Sequence, residues 1–584
     1  MQWMGFVPVT GIVLACALVP AGASAQGTTA LVSRSSSGAQ GLVNVWAPDA
    51  VSDDGRFAAF TSSASNLAVN DTNGTDDVFL HDRLTGQTTI VSVSSSGAQA
   101  NGPSWIEDMT PDARFVVFMS QATNLSAADT DSRFDVYVRD RLAGTTELVS
   151  TNPSGVAGNG DSGWANITPD GRWVAFMSYA SDLVPGDTNG WNDVFVHDRT
   201  TGATSRVSVN SAGVESNNDN GDVPSISADG RIVCFWSYGT NLVPGDLNQC
   251  ADVFVHDNLL GTTALVSISS SGAAADSTSE TFGHALSADG HYAVFTSWAT
   301  DIVPGDTNQH RDSFLRDLLA GTTTRISMGV GGAQADEDSM AAAITPDARY
   351  AVLVGWATNL VPGDTNGAAD IFVHDIAAGS TTRISLASDG SQANWASDAA
   401  EISGDGRFVV FRSSADNLVS PDLNGTDLDL FVRDLQGCSP TIATYCTAGT
   451  TTHSCVPSIA ASGTPSASAG SGFTITVSAV EGQRTGLVFY GIAGPRETPF
   501  GGGSSVLCVA GQLRRTQVQA SGGTNGACDG QLSLDWNQYI LAHPLALGMP
   551  FRGGETVWAQ AWFRDPPAPG GVNLSNGIWF EVCP

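Results

Sequence analysis

The chain has 584 residues, with 58 acidic against 25 basic side chains and a formal net charge of −33. All the basic residues are arginines, so lysine-dependent Schiff-base and phosphate-loop chemistry is excluded. The negative charge also disfavours nucleic-acid binding through phosphate neutralisation, and the length leaves room for more than one domain.

The chain opens on an apolar run, "FVPVTGIVLACALVPAGASA", that ends in Ala23-Ser24-Ala25. It is read as a signal peptide over residues 1–25, cleaved after Ala25, although a basic n-region is missing. Pro8 and Pro20 interrupt the run and weaken the alternative of a membrane anchor, while Cys16 leaves a lipoprotein site as a minor alternative. No other stretch is long and apolar enough to span a bilayer, so the mature chain is expected to be secreted, periplasmic or held at the cell surface.

Residues 26–437 repeat one pattern seven times. "DGRFAAF" at Asp54 returns at Asp112, Asp170, Asp229, Asp289, Asp347 and Asp405, at spacings of 58 to 60 residues. Each unit reads as four short strands with period-two alternation, separated by Gly, Asn, Asp and Pro clusters. A fixed period of this kind predicts an all-β, seven-bladed propeller. The phase predicts how it closes. The outer-strand string "TTALVS" occurs at Thr28–Ser33, before the first unit, and the last unit lacks one after "LFVRDLQGCSP". The N-terminal strand should therefore complete the last blade and leave no open sheet edge.

Between the second and third strands of every unit lies an acidic loop, D-x-[ND]-x-x-x-D, with one extra residue in the last copy. Its first, third and seventh positions are Asp71, Asn73 and Asp77; Asp129, Asp131 and Asp135; Asp187, Asn189 and Asp193; and Asp246, Asn248 and Asp252. The later copies are Asp306, Asn308 and Asp312; Asp364, Asn366 and Asp370; and Asp422, Asn424 and Asp429. Clustered oxygen ligands in a tight turn suit calcium. Against this, position 5 is not consistently polar and no bidentate Glu follows. The competing reading is an Asx turn that simply joins two strands. Asn66, Asn124, Asp182, Asn241, Asp301, Asn359 and Asn417 recur five residues before these loops. His81, His197, His256 and His374 alternate around the ring with Arg139, Arg316 and Arg433, which suggests a blade-stabilising partner of the adjacent Asp rather than a catalytic base.

No G-x-S-x-G elbow, H-E-x-x-H motif or phosphate-binding glycine loop occurs. Residues that break the repeat are the better guide to a unique site. Glu107, Asp108, His284, Asp398 and Glu401 fall on the innermost strands near the channel, with Trp46, Trp105, Trp164 and Trp395 in or before them. Aromatics with carboxylates at a propeller mouth suit a glycan or peptide, and blade packing is the plainer account. The strings "SISADGRIVCFWS" and "DVFVHD" resemble the TolB-type, WD-repeat-like propellers of bacteria over about residues 28–437. That resemblance implies an exported protein-interaction platform. It does not carry the TolB role itself, because no separate N-terminal domain precedes the blades.

Residues 438–584 differ in kind. Strands such as "FTITVSAV", "GLVFYGI", "TVWAQAWF" and "GIWFEVC" alternate with Gly/Pro/Ser-rich turns, predicting a small β-sandwich, and "DWNQYILAHPLAL" adds a short helix. The region holds Cys438, Cys446, Cys455, Cys508, Cys528 and Cys583. In an exported chain these suggest three disulfides, with fifteen pairings open; zinc is the runner-up but lacks a C-x-x-C pair. The segment resembles tail modules of large secreted proteins of planctomycete-like bacteria, which implies no particular activity. The sequence thus points to an exported, non-enzymatic propeller scaffold for a protein or glycan partner, with calcium as its candidate stabilising ion. The alternative is a polysaccharide hydrolase or lyase using channel carboxylates.

Overall fold

The computed structural model describes residues 27–42, 45–435, 442–465, 472–500, 504–543, 545–549, 551, 555–568 and 570–582, with main chain only at 46–49. The expected leader lies outside them. Among the described residues, seven four-stranded antiparallel sheets form the blades of a propeller. Blade 3 is representative: Ser162–Ile167, Trp173–Ser178, Asp193–Asp198 and Ala203–Arg206 run from the channel outward. Blade 7 takes three strands from Ser397–Ile402, Phe408–Ser413 and Asp429–Asp434, and its outer strand from Thr28–Leu31. Thr28 pairs with Asp434 and Leu31 with Phe431. The ring closes as the phase of the repeat requires.

The middle strands are apolar on both faces because both faces meet a neighbouring blade. Val174, Ala175, Phe176 and Met177 are all fully buried. Phenylalanines facing each other across the second and third strands recur as stacked pairs, Phe60 with Phe79 and Phe176 with Phe195. One core cluster joins blade 7 to blade 1 through Phe60, Phe79, Phe408, Leu430 and Val32 of the closing strand. The turn into the second strand explains the "DGR" string. Asp170 Oδ1 accepts Thr168 Oγ1 and the Arg172 amide, while Arg172 forms a bidentate pair with Asp198. Gly171 has φ +72°, and a Cβ there would lie 2.3 Å from the Phe115 ring of the preceding blade. Glycine thus permits both the turn and the contact between blades.

The C-terminal module is a β-sandwich. A sheet built on Ile442–Tyr445, Val572–Glu581, Thr556–Arg564 and Thr485–Gly491 shares a core with one of Ser458–Gly463, Phe473–Val480 and Gly530–Asp535. Trp536, Tyr490, Phe473 and Phe580 fill that core. The helix Trp536–Ala542 begins at Asp535, whose side chain accepts the Gln538 amide as an N-cap. Disulfides join Cys446 to Cys508 and Cys455 to Cys528, which removes the zinc reading for these four; Cys438 and Cys583 lie outside the described residues. Cys234 and Cys250 are free thiols. Among the described residues no helix is long and apolar enough to cross a membrane.

The closing strand carries a definite prediction. Val32 is fully buried, so Val32→Asp forces a charge into the core and undocks residues 27–33. The expected result is a Tm lower by at least about 5 °C and concentration-dependent association through the exposed Asp429–Asp434 edge. Calorimetry and light scattering check both.

Candidate functional site: the channel latch, the acidic loops and an aromatic arc

Two innermost strands and the turn after the short innermost strand of blade 5 bring three of the repeat-breaking residues together in the channel. His284 of blade 5 places Nδ1 2.9 Å from Glu401 Oε1 of blade 7 and Nε2 3.3 Å from Asp108 Oδ1 of blade 2. Asp108 also accepts the Asn166 side-chain amide and the main-chain N–H groups of Ile167 and Met109. Burial opposes a charged imidazole, but the two carboxylates outweigh it and raise His284 well above its usual pKa of 6.5. Protonated, the imidazole bridges both carboxylates and latches three blades. Glu107, the neighbour of Asp108 along the chain, accepts the Ala165 amide of blade 3, and burial pushes its carboxyl up to about 8. Asp398 turns away and pairs with Arg412 through two hydrogen bonds. The cavity at the latch measures about 100 Å³ and is lined mainly by Ile, Leu, Val, Ala and Pro side chains. That is well below the roughly 300 Å³ at which small-molecule sites begin.

Trp105 stacks on Phe134 and donates from Nε1 to Asp76. Trp164 is partly buried with φ +51°, and Trp395 is exposed; the Trp46 side chain lies outside the description. The histidine–arginine ring does not pair with the adjacent Asp. His81, His197, His256 and His374 each place Nδ1 against a threonine hydroxyl on the outer strand, from Thr88, Thr204, Thr263 and Thr381. Arg139, Arg316 and Arg433 reach the corresponding Thr146, Thr323 and Thr29. The reason is geometric: successive strand residues point to opposite faces, so the next residue cannot be the partner, whereas the cross-strand one can.

The acidic loops share one buried feature. Asp77, Asp135, Asp193, Asp252, Asp312, Asp370 and Asp429 are essentially unexposed. Each gives one oxygen to a serine hydroxyl just past the outer strand: Ser92, Ser150, Ser208, Ser267, Ser327, Ser385 and Ser33. In six blades the other oxygen also meets N–H donors. Gln99, Gln392 and Gln40 supply them to Asp77, Asp370 and Asp429. Asn189, Asn248 and Asn308 supply them to Asp193, Asp252 and Asp312. In three blades an arginine also bridges the first and seventh positions: Arg206 between Asp187 and Asp193, Arg325 between Asp306 and Asp312, and Arg383 between Asp364 and Asp370.

The loops are therefore not seven equivalent cation seats. At Asn73, Asn189, Asn248, Asn308 and Asn366, the side-chain oxygen accepts the amide two residues on, as in an Asx turn. At Asp71 and Asp364, the carboxylate accepts a glutamine amide of this chain. Gln40 likewise fills the loop of Asp422, Asn424 and Asp429. The loop of Asp246 holds two carboxylates, and the Asn248 side-chain amide donates to Asp252. Asp187, Asp193 and Glu215 do converge, but Arg206 lies 2.8 Å from Glu215 and fills the space. Among the described residues, only the Asp129, Asp131 and Asp135 cluster converges without a buried guanidinium or a side-chain amide between its carboxylates.

One feature emerges only when the blades are superposed. The residue directly after the second strand is Tyr179, Tyr238, Trp298 and Trp356 in blades 3 to 6, and all four are exposed, at 54, 38, 37 and 43 %. The equivalent residues elsewhere are Ser63, Gln121 and Ser414. The amides of Tyr179, Tyr238 and Trp356 donate to the carbonyls of Asp161, Asp219 and Asp338 just before the innermost strand, which fixes their common position. The Arg311 guanidinium lies 3.7 Å above the Trp298 ring. Nearby Asp219, Asp222 and Asp161 add to burial in raising the Tyr179 hydroxyl's pKa. The sequence signal was the "SY", "SY", "SW", "GW" series, visible only with the copies aligned.

Fold and site together define a seven-bladed β-propeller with a disulfide-bonded β-sandwich. No protein-family model matches the chain, and no curated protein matches it in sequence. Solved structures similar to it include an oligogalacturonate lyase in complex with manganese, at 13 % identity and TM-score 0.40, covering 67 % of this chain and 89 % of that one. A protein described as TolB from Agrobacterium tumefaciens is 17 % identical with TM-score 0.30, covering 49 % and 80 %. The GH74 xyloglucanase from Xanthomonas campestris is 11 % identical with TM-score 0.37, covering 78 % and 60 %. Likenesses of this degree carry no chemistry to the present chain.

The latch predicts a pH dependence. A histidine whose pKa is raised on folding stabilises fully below its unfolded value and loses that contribution as pH climbs through the folded one. Against a His284→Gln variant, wild type should show its largest Tm advantage at about pH 6 and a shrinking one toward about pH 9. A gap constant across that range would mean a neutral His284.

Proposed function

We propose that this protein is an exported, non-enzymatic propeller that binds an extended glycan or a protein segment on the face carrying the acidic loops. The observation that carries this reading is the arc of Tyr179, Tyr238, Trp298 and Trp356. Four exposed aromatic side chains at one register position on consecutive blades exceed what packing needs, since Ser and Gln serve equally well in the other three. Aromatic faces offer stacking surfaces to sugar rings, and neighbouring carboxylates accept hydroxyl or ammonium hydrogens. The net charge of −33 favours neutral or amino-bearing polymers over polyanions. The paired disulfides support an oxidising location outside the cytoplasm, in keeping with the leader-like N-terminus.

In the competing reading, a hydrolase needs two free carboxylates flanking a glycosidic bond, and a lyase needs a free channel carboxylate as the base for β-elimination. Asp108 and Glu401 are the channel pair, and both are bound to His284 in a space too small for a sugar ring. The test is retention on insoluble neutral and amino-bearing polysaccharides, with release of reducing ends and of unsaturated products followed in parallel. Wild type should bind without cleaving. The triple variant Tyr179→Ala, Trp298→Ala, Trp356→Ala should lose at least about tenfold in affinity with an unchanged melt. Cleavage abolished by Glu401→Gln would establish the enzyme instead.

A further inference from the structure

The seven buried aspartates act as one experiment repeated around the ring, and blade 2 is the copy that differs. In the other six blades the second carboxylate oxygen receives an N–H donor from this chain. In blade 2, Asp135 Oδ2 is buried and has no hydrogen-bond partner. All three donor positions are changed at once. Asp131 replaces the asparagine, Leu148 stands where blade 3 has Arg206, and Ala157 stands where blade 1 has Gln99. Each replacement removes a donor, and the first adds a third carboxylate. The ligand oxygens of Asp129, Asp131 and Asp135 lie within 4.8 Å of one another.

We propose that blade 2 alone binds one calcium ion, held between Asp129, Asp131 and Asp135. Blade 3 shows what the ion replaces: there the guanidinium of Arg206 sits among Asp187, Asp193 and Glu215. Leu148 removes that internal cation from blade 2. The remaining contacts do not neutralise the cluster. Ser150 donates to Asp135 Oδ1, and the Tyr137 hydroxyl donates to Asp129 Oδ2. The amides of Asp131 and Arg133 donate to Asp129 and Asp131. Arg133 lies 3.6 Å from Asp131, but both side chains are about half exposed, so that pair is weak and screened. Three carboxylates with no nitrogen or sulfur ligand form a hard-oxygen set, which suits calcium better than zinc or copper.

This inference is independent of the glycan reading and is tested without any polymer. Calcium chloride alone is titrated calorimetrically into the chelator-treated chain, and melts are recorded with calcium and with chelator. One ion per chain is expected, with a Tm rise of about 2 °C or more at saturation. Asp131→Asn restores the residue of the other six blades at a half-exposed position and should weaken calcium affinity by roughly tenfold or more. Leu148→Arg supplies the blade 3 guanidinium and should abolish the calcium response while melting, without calcium, at or above wild type. Cooperative melts of both variants in chelator separate lost binding from lost folding. No binding by wild type, a stoichiometry near seven, uptake of magnesium but not calcium, or unchanged affinity in Asp131→Asn would each overturn the proposal.

Discussion

Every blade of this propeller buries a carboxylate at the start of its third strand, and the rest of the blade is arranged around that constraint. An unpaired ion in such a place costs several kcal/mol. The serine past the outer strand answers half of the demand in all seven copies, which ties the outer strand to the acidic loop. In blade 7 that serine is Ser33, so the closing strand is held by the same bond as any other, Ser33 Oγ to Asp429 Oδ1 at 2.6 Å. In six blades the other half is met by amide or guanidinium, differently from blade to blade, and in blade 2 it is left open. The blades therefore share a backbone while carrying different charges at equivalent sites.

The same logic separates scaffold from site. Features present in all copies, such as the "DGR" turn, the His/Arg–Thr bond and the Asp–Ser bond, satisfy local demands and need no ligand. Features confined to some copies have no such account. The His284 latch appears once, where the innermost strand of blade 5 is shortened to Ser279–Glu280. The aromatic arc appears in four adjacent blades. The three carboxylates of blade 2 are the third departure.

The sequence made the architecture legible because the period, the alternation and the displaced "TTALVS" string each follow from local chain geometry, and all three agree. The channel residues were also visible, as departures from the repeat. Their partners were not, since Asp108, His284 and Glu401 come from three blades and meet only through ring closure. The acidic loops show a related limit. Their shared pattern admits both an ion and an Asx turn, and the residues that occupy the space, Gln99 or Arg206, lie more than ten residues away on another strand or loop. The histidines pair with cross-strand threonines and not with the next aspartate because adjacency along a strand places side chains on opposite faces.

Ring closure by the first strand has a consequence for how the molecule is made. Ser33 and Asp429 are 396 residues apart, so the contact that completes the last blade is among the most non-local in the chain. A polypeptide that stops before Asp434 retains an unpaired strand at each end of an open array. One that reaches it can close at once, whatever the state of the downstream sandwich. The circle can thus complete only once the chain has been made through Asp434, and shorter fragments keep exposed, association-prone strand edges.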